Sequence, residues 1–205
     1  MKSYSLPRWL RVLLLSAIPV VAVGMLGLGF WQLNRLEERR ARNDEIRQRL
    51  AQPALTVDDA LLAMDAAALD YRPAAARGTF DFAHEIVWRN QARDGAPGVH
   101  VITPLRLAGS EAAVLVDRGW IPYTQAAPEA RAAFQTPAGE VAVSGWLRQP
   151  VTRTADFLPS DPTRGPDQPR LDAWFWLDIA QIQAQTPYPL LPVLLVQAAG
   201  PETAG

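Results

Sequence analysis

The sequence predicts a mostly β protein with minor α content: an N-terminal transmembrane helix followed by an antiparallel β-sandwich or partly closed barrel with short helices. Three observations predict it. Residues 12–34 (VLLLSAIPVVAVGMLGLGFWQLN) carry no charge, and about 20 apolar residues cross a ~30 Å hydrocarbon core. Beyond residue 71 the chain breaks into seven short β-rich runs with Gly and Pro between many of them, the pattern of antiparallel sandwiches and barrels. Helical composition downstream of the apolar run is confined to short stretches.

The first element is a basic tail, residues 1–11, with Lys2, Arg8 and Arg11. Tyr4 and Trp9 flank one end of the apolar run, and Phe30 and Trp31 close the other; aromatic rings favour the headgroup layer. Pro19, Gly24, Gly27 and Gly29 are compatible with a span, since both residue types are enriched in membrane helices. Cleavage after Ala22-Val23-Gly24 is the competing reading, but the run continues to Leu33, too long for an ordinary signal-peptide core. A buried core helix would be shorter and amphipathic. Residues 35–52 form a juxtamembrane helix with Glu38–Arg42 and Glu45–Arg49 spaced as favourable i,i+4 pairs, a solvated continuation of the span or an Arg-rich collar for headgroups or a partner. Pro53 ends it. Thr56-Val57-Asp58-Asp59 resembles a capping box that opens a short helix through Leu62.

Residues 53–205 form one β domain. Strand-like runs occupy 72–80, 84–91, 99–107, 112–120, 140–148, 173–177 and 191–197, with the best hairpin connections at 93–98 and 108–110. Stretches 124–135 and 178–185 have helical composition and are expected to cover part of the sheet. The segment 150–170 contains five prolines and three aspartates and reads as a long exposed loop.

Composition excludes several classes. There is no cysteine, so thiolate catalysis, disulfides and iron–sulfur clusters are absent. Residues 51–205 hold eleven Arg against seventeen acids; a domain of that sign lacks the basic footprint of a nucleic-acid binder. The short basic tail favours an N-terminus inside with the domain outside, although six Arg and four acids follow the span.

Enzyme signatures are scarce. His84 and His100 are the only imidazoles, and no nucleophile elbow, P-loop or zinc-protease motif occurs. His84 and Glu85 fall on opposite faces of the expected strand; His100 has no carboxylate near it in sequence. A haem or copper role would draw on Met64 and the two histidines alone in the outer domain, and no metal site is expected. The most distinctive segment is Val114-Leu-Val-Asp-Arg-Gly-Trp-Ile-Pro122. It reads either as a strand end where Arg118 pairs with an acid and Trp120 caps the core, or as an Arg/Trp contact patch. Gly98 and Gly119 are both expected at φ > 0.

Five segments in collinear order resemble the Surfeit locus protein 1 family, assembly factors for haem–copper cytochrome c oxidase. Arg118-Gly-Trp-Ile-Pro122 is similar to its Arg-Gly-Trp-Val/Ile-Pro motif. Trp31-Gln32-x-x-Arg35 resembles its signature at the end of the first membrane helix. Gly78-Thr-Phe80, Gly98-Val-His-Val-Ile-Thr103-Pro104-Leu105 and Trp174-x-Trp176-Leu-Asp178 resemble its other conserved strands and its late Trp–Leu–Asp region.

The resemblance implies a protein of the bacterial inner membrane, or its mitochondrial counterpart, with the N-terminus cytoplasmic and the β domain periplasmic. It implies work on oxidase subunit I with other assembly factors, around delivery or insertion of haem a, and it implies no catalysis. Candidate partner-binding residues are then Trp31, Gln32, Arg35, Arg118, Trp120 and Pro122. Gly78, Gly98, Thr103, Pro104, Gly119, Trp176 and Asp178 are candidate structural positions. The family's second membrane helix begins near an Asn-x-His motif, and the sequence stops at Gly205 with no counterpart of either. The haem-associated histidine is therefore carried over to no position, and this chain alone is expected to bind no haem. The alternative function is a membrane-tethered extracytoplasmic binding module for another protein or small ligand.

Overall fold

The computed structural model describes residues 7–135, 139–162, 165 and 170–198. Lys2, Tyr4, the Arg11 side chain and residues 163–164 and 166–169 of the Pro-rich loop lie outside the described residues. The chain divides into two compact units, Met1–Gln48 and Arg49–Gly205.

The first unit is occupied by α1, Arg8–Leu50, which runs through Pro19 without a break. The expected span and juxtamembrane helix are thus one element. Its apolar residues are exposed all round, among them Val20, Met25, Phe30 and Leu33. A helix that is hydrophobic on every side is made to be buried in something other than water, and this one is long and apolar enough to cross a membrane.

In the second unit, β1 (Leu55–Thr56) is followed by a 3₁₀ turn, Asp59–Ala63. The cap is Asp58, whose carboxylate accepts from Ala60 N at 3.0 Å; Thr56, expected to cap, is in β1 instead. After α2 (Ala66–Leu69) come β2 (Pro73–Phe80), β3 (Ile86–Arg93), β4 (Ala96–Leu107) and β5 (Ala113–Pro122). Then follow α3 (Pro128–Arg131), β6 (Glu140–Arg148), β7 (Ala173–Trp174), α4 (Ile179–Gln183) and β8 (Leu190–Gln197). Two expectations shift. His84 is in a 3₁₀ turn, Phe82–His84, because Asp81 caps it through Ala83 N at 3.1 Å; β3 starts only at Ile86. The run 173–177 keeps two strand residues, because the Asp161 carboxylate takes the amides of Phe175 and Trp176 away from the sheet.

The sheet closes on itself. Its order is β1-β2-β6-β8-β5-β4-β3-β7, and β2 also pairs β4, so β2, β6, β8, β5 and β4 form a ring. The 12-residue β4 makes this possible by changing partners along one edge. Ala96–Ile102 pair with β3, and Leu105–Leu107 pair with β2. Pro104 stands at the change, where its carbonyl accepts from Asp81 N at 2.8 Å. In a strand the N–H and C=O of one residue face the same edge, so the missing proline donor costs no bond to β5. Asp94 (φ 51°) and Gly95 (φ 80°) make the β3–β4 turn, the left-handed pair a tight hairpin needs.

Most pairings are antiparallel, but β5–β8, β3–β7 and β1–β2 are parallel. Parallel strands need a long crossover; between β5 and β8 it runs over residues 123–189 and carries α3, β6, β7 and α4. The wall strands accordingly bury both faces. Val114 and Val116 of β5, with Leu191, Val193 and Leu195 of β8, fill the barrel interior. Ala113, Leu115, Leu190 and Leu194 pack outward against Trp174, Leu177 and Ile182. Continuous apolar runs belong to strands covered on both sides.

Candidate functional site

The Arg-Gly-Trp segment forms a β-bulge. Asp117 pairs Ile102 and Trp120 pairs His100, so Arg118 and Gly119 stand opposite Val101 alone. Gly119 has φ +110°, as expected, and the Asp117 carboxylate accepts its N–H at 2.9 Å. The extra residue bends and twists the strand there, and glycine accepts the positive φ without a Cβ penalty. The bulge sends neighbouring side chains to separate environments.

Arg118 enters an internal charge cluster. Its guanidinium lies over the rings of Phe80 and Phe82, at 5.1 and 5.3 Å, and donates to the Phe134 carbonyl. It reaches Glu85 Oε2 at 3.4 Å. Glu85 is buried and also accepts from Thr103 Oγ1 at 2.7 Å. Arg131, equally buried, brings Nε to 3.2 Å from Glu85 Oε1 and donates to both oxygens of Asp172 at 3.0 and 3.1 Å. Two cations thus face two anions. Burial lowers the Arg118 pKa and the Glu85 charge and hydrogen bond oppose that shift; arginine stays charged throughout. Arg170 donates to the carbonyls of Ala83 and Glu85, which fixes the backbone that carries the central carboxylate.

Trp120 and His100 lie on the other side of the bulge. The indole donates to the Gln91 carbonyl at 2.7 Å and lies against Gly98, where a Cβ would come within 2.3 Å of it. Gly98 is not at positive φ. It lies within β4, and the left-handed glycine of that hairpin is Gly95, so what Gly98 supplies is room for Trp120. His100 Nδ1 lies 2.8 Å from both Asp117 oxygens, a carboxylate brought across the β4–β5 ladder. With the proton on Nδ1, the ring donates to Asp117 and keeps a lone pair on Nε2.

A second histidine cluster lies at the end of β2. Asp81 accepts from Tyr188 Oη at 2.9 Å and stands 2.7 Å from His84 Nδ1. Burial raises the Asp81 pKa, but the Tyr188 and His84 hydrogen bonds outweigh it and the net shift is downward. Burial, then the Asp81 bond and charge, push the Tyr188 phenol well above its usual value.

The remaining sequence candidates fall as follows. Gly78 is at the barrel seam, where a Cβ would stand 2.0 Å from the Arg106 carbonyl oxygen. Trp176 donates to the Pro159 carbonyl at 2.7 Å, and Asp178 caps α4 through Ala180 N at 3.0 Å. Pro122 is exposed at the end of β5. Trp31, Gln32 and Arg35 belong to the helical unit, where the Arg35 guanidinium is 5.4 Å from the Trp31 ring centroid. Sequence reasoning did not find Glu85, Arg131, Asp172, Asp81 or Tyr188. The only signal was an acid, Glu85, directly before the β-branched pair Ile86-Val87. Gly145 was missed too; a Cβ there would meet the Val196 carbonyl oxygen at 1.8 Å.

A model of the SURF1 family matches residues 19–205. The SURF1-like protein of Monosiga brevicollis is 32% identical over 193 residues, which are 88% of this chain and 67% of that protein. Surfeit locus protein 1 of Homo sapiens is 32% identical over 181 residues, 80% of this chain and 56% of that protein. Its Mus musculus counterpart is 29% identical over 180 residues, covering 80% and 54%. The chain thus spans a little over half the length of these mammalian relatives.

Proposed function

The chain belongs to the SURF1 family, and from that we propose that it is a membrane-anchored assembly factor for haem–copper cytochrome c oxidase. The family match over residues 19–205 carries this reading. The five segments that resemble the family support it, because each has a definite place: the end of the uncharged run within α1, the barrel seam, the strand-switching β4, the bulge and the α4 cap. The partners are oxidase subunit I and other assembly factors, the work is maturation of subunit I around haem a, and the site is the inner membrane with the N-terminus cytoplasmic and the β domain periplasmic.

The mode of action is binding without catalysis. Glu85, Arg118, Arg131 and Asp172 are engaged with one another, which suits a rigid scaffold better than a reacting centre. The residues present do not fit haem. Each histidine holds an aspartate through Nδ1, which leaves only Nε2 for a ligand. The cleft of about 540 Å³ at the barrel seam is lined by Gly78, Phe80, Asp81, Phe82 and Arg106 with neither histidine among its walls. No step is therefore assigned to haem on this chain.

Deletion of the gene tests the reading. Cytochrome c oxidase activity and membrane haem a should fall while succinate dehydrogenase activity is spared, and subunit I should co-purify with the tagged chain. Unchanged oxidase activity would reject it.

A further inference from the structure

We propose that the face of α1 formed by Trp31, Arg35, Arg39 and Arg42 binds the phosphate of anionic phospholipid headgroups. The inference rests on the membrane-anchor reading and adds to it a lipid class and a site. At 3.6 residues per turn, Arg35, Arg39 and Arg42 fall within an arc of about 60°, with Trp31 at its edge. Glu37 and Asp44 fall on the opposite side of the helix, where Asp44 holds Arg47 at 2.7 Å. Among the described residues, Arg39 and Arg42 engage no carboxylate, and Glu38 pairs with neither. Trp31, Asn34, Arg35, Glu38, Arg39 and Arg42 line a cleft of about 430 Å³.

Depth fits as well as charge. The uncharged run ends at Asn34. Arg35, Arg39 and Arg42 come roughly 3, 9 and 13 Å beyond Leu33 along the axis, the first within a headgroup layer about 5–8 Å thick and the other two beyond its outer edge. Side chains on a helix lean toward its N-terminus, which here is toward the bilayer, so the arginines reach back to the lipid phosphates. The guanidinium fork matches phosphate geometry with two parallel bonds. Trp31 supplies the ring that Arg35 covers at 5.4 Å and that suits the interface. A zwitterionic lipid carries its own compensating cation, so the site should select anionic headgroups.

The test places the full chain in nanodiscs of equal parts phosphatidylcholine and phosphatidylglycerol and measures retained lipid by native mass spectrometry. Phosphatidylglycerol should be enriched over the bulk ratio. R35Q/R39Q/R42Q should lower that enrichment about tenfold or more, given the attraction of each basic residue to anionic lipid. R40Q/R47Q, which removes two arginines from elsewhere on the helix, should leave it unchanged, and Glu38→Gln should raise it. No enrichment, or equal loss in the two multiple variants, overturns the proposal. Alkaline carbonate extraction separates the two readings: a chain that stays in the membrane without lipid selectivity refutes the headgroup site alone, whereas a chain released by carbonate refutes the anchor and the site together.

Discussion

Gly98 of β4 and Gly119 of the β5 bulge make opposite demands. At Gly119 a Cβ would meet nothing within 4 Å, but φ is +110°. Gly119→Ala should therefore cost about 1 kcal/mol or more through backbone strain alone. At Gly98 the backbone is ordinary, and a Cβ would collide with the Trp120 indole at 2.3 Å and the Ile121 carbonyl oxygen at 2.5 Å. Gly98→Ala should cost roughly 1–3 kcal/mol by overpacking. Chemical denaturation distinguishes the two: Gly98→Ala combined with Trp120→Ala should lose less than the sum of the single changes, because the indole is part of the clash. Full additivity would refute the packing account. The charge cluster gives a second ordering. Glu85→Ala removes the anion between two buried arginines and should cost about 3–5 kcal/mol. Arg118→Ala leaves Glu85 with Arg131 and Thr103, so its melting temperature should fall less. An Arg118→Ala protein as stable as wild type would return Arg118 to the role of a surface contact.

At the scale of elements, the strands were legible because alternation and turn chemistry are local. Pro73–Phe80 alternates buried and exposed positions, and Asp94-Gly95 marks the β3–β4 hairpin by composition alone. The parallel neighbourhood of β5 and β8 was not legible, since it is set by the long connection over residues 123–189, which carries a whole strand, β6, rather than by any local pattern. The same reason hid the site. Asp117 meets His100 only because a bulge aligns two strands, and Asp81 meets Tyr188 across 107 residues. That last contact ties the end of β2 to the segment entering β8, and it should show in pH dependence. The Asp81 pKa is lowered in the fold, so its contribution is present above the unfolded value near 3.9 and is lost as pH falls through the folded value. The Tyr188 pKa is raised, so its contribution is present below about 10 and is lost as pH rises beyond it. Tyr188→Phe removes the donor to Asp81. Its acid unfolding midpoint should move to higher pH while its alkaline loss becomes shallower. An unchanged acid midpoint would show that the hydrogen bond does not hold Asp81 down.

For the whole molecule, the division into an apolar helix and a β domain was legible from the uncharged run alone, because bilayer thickness sets one length and barrel strands set another. Function at this scale depends on which side of the membrane the domain occupies and on what it holds there. The full chain in detergent, titrated with haem, should give no sharp Soret shift that His84→Ala or His100→Ala abolishes, since haem iron needs a strong axial donor and the cleft at the barrel seam has neither histidine in its walls. A stoichiometric complex lost with either substitution would place a haem site in the β domain. Sidedness follows from the flanks of the span, the tail's length above all. The tail before the span carries Lys2, Arg8 and Arg11 and no acid, whereas the helix beyond it mixes six Arg with four acids. Positive charge near the span is retained on the cytoplasmic side, with acids counting for little. Charge does not decide between the two flanks, and the short basic tail, of the kind that stays inside on a signal anchor, decides for the N-terminus inside. Protease added to spheroplasts should then degrade the chain from about residue 50 onward and leave the anchor protected by the bilayer. Full protection of the β domain in intact spheroplasts would reverse the topology and remove the domain from the periplasmic face where the proposed assembly role operates.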